Sequence, residues 1–282
     1  MTAGRFIALA LTAALATAGC GHSGHRAAEL VVGSRAGIES TLLADVYTGA
    51  LRSYGFPART EQAPNPLAKL DSGTFVVVPS LTGRVLQAFQ PGATLRSDAQ
   101  VYKAMIGALP EGIAAGDYTT AAEDKPALAV AESTSKSWGG SDLSALPQHC
   151  DGLVVGSIAG APTPSAVGGC RLPAAREFAD EAKLFAAVKA GEVTAAWTTT
   201  ADPNVPADLV VLTDGKPALV QAENVVPLFR RNELTDRQLL AVNEVAGVLD
   251  TAALVEMRRQ VTAGADPQAV ADAWLNEHPL GR

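Results

Sequence analysis

The sequence is poor in aromatic side chains (5%), in histidine (four) and in cysteine (three). That scarcity leaves little for enzyme chemistry, and no G-x-S-x-G elbow, P-loop, H-E-x-x-H or paired Cys/His arrangement occurs. His22 and His25 fall in a short polar stretch and His278 lies near the end; His149 adjoins Cys150, and sequence neighbours seldom face each other. The chain is therefore expected not to be an enzyme and to hold neither cofactor nor metal. A basic surplus is missing too. The formal charge is -7, and dispersed acidity leaves no footprint for nucleic acid. After the first twenty residues no apolar run approaches the roughly 20 residues that cross a bilayer.

What is present begins with an apolar run from Phe6 to Ala18, preceded by the single charge of Arg5. It fits the h-region of a secretory signal, residues 1–19. The run ends at Ala18-Gly19-Cys20, with Thr17 where lipoboxes usually carry an aliphatic residue. Cys20 is read as the lipidated N-terminus, because a thiol carries the lipid thioether; an ordinary signal with an incidental cysteine is the alternative. The stretch to residue 27 then serves as a polar tether on the outer face of the cell membrane. With Cys20 assigned, Cys150 and Cys170 remain. In an exported chain an even remainder argues for a disulfide, here closing a loop that contains seven Gly or Pro residues.

About 255 residues follow the tether, enough for two lobes with their own cores. Strand and helix signals alternate along them, predicting an α/β protein with mostly parallel sheets. Leu30 to Val32 reads as a strand, Glu39 to Tyr54 as a helix stopped by Gly55, Asn65 to Ser72 as a short helix and Thr74 to Pro79 as a strand. Helices follow over Thr82 to Phe89 and from a Ser97/Gln100 capping box to Leu109. Next come a strand at Leu128 to Val130, a helix over 174–190, and strands at Val193 to Trp197, Asp208 to Leu212 and Val225 to Phe229. Three helices close the chain, begun by Thr235 with Gln238, by Thr251 and by Asp266-Pro267.

Three stretches then carry a family pattern. The first is a strand followed by Gly33-Ser34 and then Glu39-Ser40. The second is Ser72-Gly73, an apolar strand and Pro79-Ser80-Leu81-Thr82-Gly83. The third joins Ala196 to Thr200, Leu209 to Leu212 and Val225-Val226-Pro227-Leu228, with Asp266-Pro267 and Val270-Ala271 in the final helix. This order resembles the substrate-binding proteins of glycine betaine, choline and carnitine importers of the osmoprotectant ABC class. The resemblance implies a two-lobed type II periplasmic-binding fold with two hinge crossings: lobe one over 28–124 and 222–282, lobe two over 125–221. It implies a monomer that closes on a quaternary amine or other small polar solute and delivers it to an ABC permease. The sequence departs from the family's aromatic cage, with Leu81, Gly37 and Ser80 where two aromatics and an acid are expected.

In open α/β sheets ligands bind beyond the carboxyl ends of strands. Ser34, Arg35, Ser80, Thr82, Trp197, Thr198 and Thr199 stand at such ends and are the candidate ligand-binding residues. Arg35 can clamp a carboxylate through two bonds. Trp197 is either a wall for a cation or core packing at a strand end. Tyr118 and Trp138 are further rings that could reach the cleft from loops. A second reading keeps the fold but makes the protein a non-transport lipoprotein, a sensor or assembly partner with a degenerate cleft.

Overall fold

A computed structural model describes Met1 and residues 28–281; the apolar leader run, Cys20 and the tether lie outside the described residues. In chain order the elements are β1 (Leu30–Ser34), α1 (Ile38–Ser53), β2 (Ala58–Gln62), α2 (Pro66–Asp71), β3 (Val77–Leu81), α3 (Thr82–Phe89), α4 (Asp98–Ala108) and β4 (Ile113–Ala115). There follow β5 (Pro126–Ala131), α5 (Glu132–Ser137), a 3-10 turn (Leu143–His149), β6 (Val155–Ile158), β7 (Ala166–Val167), β8 (Cys170–Arg171), β9 (Arg176–Phe178), α6 (Glu181–Lys189), β10 (Ala195–Thr199) and β11 (Leu209–Val211). The last are β12 (Val225–Arg230), α7 (Asp236–Val248), α8 (Thr251–Thr262) and α9 (Pro267–Glu277).

Two five-stranded sheets organise these elements, in the orders β2-β1-β3-β12-β4 and β11-β5-β10-β6-β9. Each sheet packs its own apolar side chains: Leu42, Val46 and Leu51 of α1 against Val32 and Val77 in the first, and Leu184 and Val188 of α6 against Ala129 and Ala196 in the second. The fold is therefore the two-lobed α/β architecture expected. Its sheets are mixed rather than mostly parallel. In the first, β12 runs antiparallel to both β3 and β4, and in the second, β5 runs antiparallel to both β10 and β11. The reversal follows from the chain path. The segment that leaves lobe two re-enters the first sheet beside β3 from the opposite direction.

The chain passes between the sheets twice, side by side. Glu123 and Asn224 form an antiparallel bridge, and the Asp124 N–H donates to the Glu223 carbonyl at 2.9 Å. The Glu123-Asp124 segment is thus one of the crossings.

Other local readings shift for identifiable reasons. The helix expected over 174–190 begins at Glu181. Residues 176–178 instead join the sheet edge beside β6, and Asp180 caps the helix by accepting from the Lys183 N–H. The strand expected at Thr74 begins at Val77, because the N–H groups of Thr74 and Phe75 both close the end of α2 on Lys69 O. Ser97 and Gln100 form no capping box, since the Ser97 hydroxyl donates to the Gln100 side chain and neither reaches the backbone. The capping box at Thr235 and Gln238 does form. Cys150 and Cys170 are joined by a disulfide with Cα atoms 5.7 Å apart.

Candidate functional site

A cleft of about 1180 Å³ opens between the two sheets, floored by the crossings. Its size exceeds the roughly 300–1,000 Å³ common for small-molecule pockets. One wall comes from the N-terminal turn of α1 and from α3, and α8 adds Arg258. The opposite wall comes from the ends of β6 and β10, from α6 and from the Pro-rich loop at 161–166, which lies within the segment closed by the disulfide.

Of the residues singled out by strand-end position, Trp197, Thr198 and Thr199 line this cleft. The Trp197 side chain packs with Leu128, Val155 and Leu212 and is only 7% exposed, so it is both core and wall. The Thr198 hydroxyl donates to Asp202, which also accepts from the Asn204 N–H at 2.8 Å. Ser34, Arg35, Ser80 and Thr82 are not among the lining residues. Ser34 is buried beside β2, its carbonyl accepting from the Ala63 N–H at 2.8 Å. Arg35 is exposed, and its N–H donates to the Ser40 hydroxyl. Ser80 lies opposite Val226 in the sheet. Thr82 staples the second crossing: its N–H donates to Asn224 O at 3.0 Å and its Oγ1 accepts from the Asn224 N–H at 3.1 Å.

The rings are similarly divided. Tyr118 packs on Tyr102 in lobe one, and Trp138 stacks on His149 beside the disulfide, both away from the cleft. Leu81 is buried in the first core. Phe185 of α6 lines the cleft with Trp197; in the sequence its helical spacing marks it only as core.

The chemistry of the floor lies in charged side chains that strand-end reasoning passed over. Arg84 donates to Glu39 at 2.9 Å and stands 3.9 Å from Asp124. Arg258, from α8, donates to Asp124 at 3.1 Å and to the Ala201 carbonyl at 2.9 Å. Glu223, on the second crossing, accepts from the Arg84 N–H at 2.8 Å. Burial, then the neighbouring Asp124, raises the Glu39 carboxyl. For Asp124 burial acts upward as well, yet Arg258 and Arg84 together hold it below the usual carboxylate range. Burial pushes Glu223 up to about 7, its backbone donors only partly offsetting the loss of water. Across the cleft, Glu181 is raised by burial and by Asp202. Lining carboxyls number five (Glu39, Asp124, Glu181, Asp202 and Glu223) against three guanidiniums (Arg84, Arg96 and Arg258), so the cavity is net acidic.

Two lobes joined by paired crossings around a polar cleft define a solute-binding protein. The sequence matches the family described as the substrate binding domain of ABC-type glycine betaine transport system over residues 28–277, and the chain belongs to that family. It is a substrate-binding protein of the osmoprotectant ABC importer class, acts outside the cytoplasm, and is a binding protein rather than an enzyme. No curated protein matches. Among solved structures, apo YehZ from Escherichia coli superposes with TM-score 0.71 at 19% identity, covering 90% of this chain and 99% of that one. A glycine betaine/carnitine/choline ABC transporter structure gives 0.73 at 15% identity, covering 88% and 98%. An ABC-transporter choline binding protein in complex with choline gives 0.55 at 17%, covering 89% of each. At these identities the structures speak for the fold.

Proposed function

We propose that the protein captures a small solute with a cationic end, of the glycine betaine or choline kind, between Trp197 and the acidic groups of the interlobe cleft. The observation that carries this reading is the net acidic lining around the one tryptophan in the wall. A cation gains from a ring face by roughly 0.5 to 2 kcal/mol, and carboxylates in a partly desolvated cleft attract it further. Thr198 and Thr199 supply hydroxyls at the end of the same strand, and Arg84 is a guanidinium in the lining that can meet a solute carboxylate. Lobe one over 28–124 and 222–282 and lobe two over 125–221 would close about the crossings at Asp124 and Glu223, and the closed form would dock on an ABC permease. Cys20 is assigned the lipid anchor that keeps the protein beside that permease.

Calorimetry of the mature chain with choline and glycine betaine tests the reading. Saturable binding that weakens in Trp197→Ala is the expected result. Binding of neither solute would instead favour a non-transport role for the same fold.

A further inference from the structure

At the cleft floor three carboxyl groups, Glu39, Asp124 and Glu223, meet two guanidiniums, Arg84 and Arg258. Two of the carboxyls have a direct cationic partner, Glu39 in Arg84 at 2.9 Å and Asp124 in Arg258 at 3.1 Å. Glu223 has no ion pair among the described residues within 4.0 Å, and its close bond is to the Arg84 backbone N–H. It is nevertheless only 8% exposed. One further acceptor there is unused: Asp124 Oδ1 is buried without a hydrogen-bond partner.

The fold builds this position for Glu223. The second crossing lays its carboxylate over the first turn of α3, and a Cβ at Gly83 would lie 2.6 Å from both Ala222 O and Glu223 Oε1. Any side chain at residue 83 would evict the carboxylate.

We propose that Glu223 sets the charge specificity of the cleft: ionised, it makes the floor net anionic and admits a permanent cation, and protonated, it leaves Glu39 and Asp124 matched by Arg84 and Arg258. This deepens the reading of the cleft as the ligand site and rests on it. The charged groups that face Glu223 are Arg84 from α3 and Asp124 from the first crossing, with Glu39 of α1 and Arg258 of α8 behind them. With burial holding the carboxyl near 7, its charge changes within the physiological range. A cation favours the ionised form, so binding expels the proton. Affinity then rises with pH through about 7 and levels off above it.

Choline is the probe, because its charge is permanent. Calorimetric titration of the mature protein is expected to show affinity about tenfold higher at pH 8 than at pH 6. Repeated at pH 7 in two buffers of different ionisation enthalpy, it should report about half a proton released per choline. Glu223→Gln keeps an oxygen for the α3 N–H and should give a flat profile at the weaker affinity. Equal choline affinity at pH 6 and pH 8 in the wild type, or an undiminished slope in Glu223→Gln, overturns the proposal. If the variant does not fold, the wild-type proton count decides alone: half a proton supports the proposal and none overturns it. Failure of choline and glycine betaine to bind at any pH would overturn the ligand reading beneath it, whereas tight but pH-independent binding overturns this inference only.

Discussion

Arg258 and Asp124 lie 134 residues apart in sequence and meet at 3.1 Å, where the guanidinium of α8 closes on the first crossing while its other nitrogen holds the Ala201 carbonyl just beyond β10. Both side chains are almost wholly buried. A buried pair is a weak source of net stability, but removing one partner strands the other charge. Arg258→Ala should therefore lower stability by about 3–5 kcal/mol at pH 7. The folded carboxyl of Asp124 is depressed, so its contribution is present above the ordinary value of 3.8 and is lost as pH falls through the lower folded value. The gap between wild type and Arg258→Ala, measured by denaturant unfolding, should narrow below about pH 4. A constant gap from pH 3 to 8 would show that the pair is not its source.

Glu223 has the opposite sign. Its folded value near 7 lies above the ordinary 4.5, so the folded state holds a proton that the unfolded chain has released. Its contribution to stability is greatest below 4.5 and declines as pH rises to about 7, by on the order of 3 kcal/mol for a group this buried. Glu223→Gln should flatten that decline and raise the melting temperature at pH 8. A variant melting lower than wild type at pH 8 would contradict this account.

Trp197 separates ligand contact from packing by choice of substitution. Trp197→Ala removes a ring that also fills the lobe-two core and should cost about 3–5 kcal/mol of stability, with cation affinity falling fivefold or more. Trp197→Phe retains an aromatic face and should keep most of the affinity. Tight choline or glycine betaine binding in a folded Trp197→Ala protein would place the cation elsewhere.

The disulfide holds the base of the loop that forms the cleft rim. In intact-mass analysis after alkylation without reductant, neither Cys150 nor Cys170 should carry label. Reduction should lower stability by about 3 kcal/mol in the chain-entropy model and loosen residues 161–166. Both cysteines labelled in the exported protein would refute the bridge under native conditions.

Lipidation at Cys20 is tested in the producing cell. Cys20→Ala, or inhibition of the lipoprotein signal peptidase, should change processing and shift the protein from the detergent phase to the aqueous phase. Unchanged partitioning of Cys20→Ala would exclude the anchor.

Several elements were legible because local chemistry alone specifies them. Thr235 with Gln238, Asp266 with Pro267, and the apolar spacing of Leu42, Leu43 and Val46 each mark a helix start or face without reference to distant residues. Strands were legible as elements but not to the residue: the one read to Trp197 runs to Thr199, and Trp197, Thr198 and Thr199 at that one end stand in the cleft wall. The Asp124-Lys125 pair, by contrast, carries no local mark of its burial. Its burial depends on Arg258 and Asp214, which bond to it from remote segments.

The sequence by itself determined the family, the two-lobed α/β class and the cysteine pairing, because these rest on the order of elements, on motif spacing and on an even number of remaining thiols. Only the tertiary structure decided which charges share the cleft. Glu39, Arg84, Asp124, Glu223 and Arg258 come from two helix starts, two crossings and a C-terminal helix. Apart from Glu39, which falls in the first family stretch, each looks like an ordinary surface charge along the chain. What alters the ionisation of Glu39, Arg84, Asp124 and Glu223 is removal from water in one another's company, and neither burial nor contact across 134 residues leaves a periodic mark in the sequence.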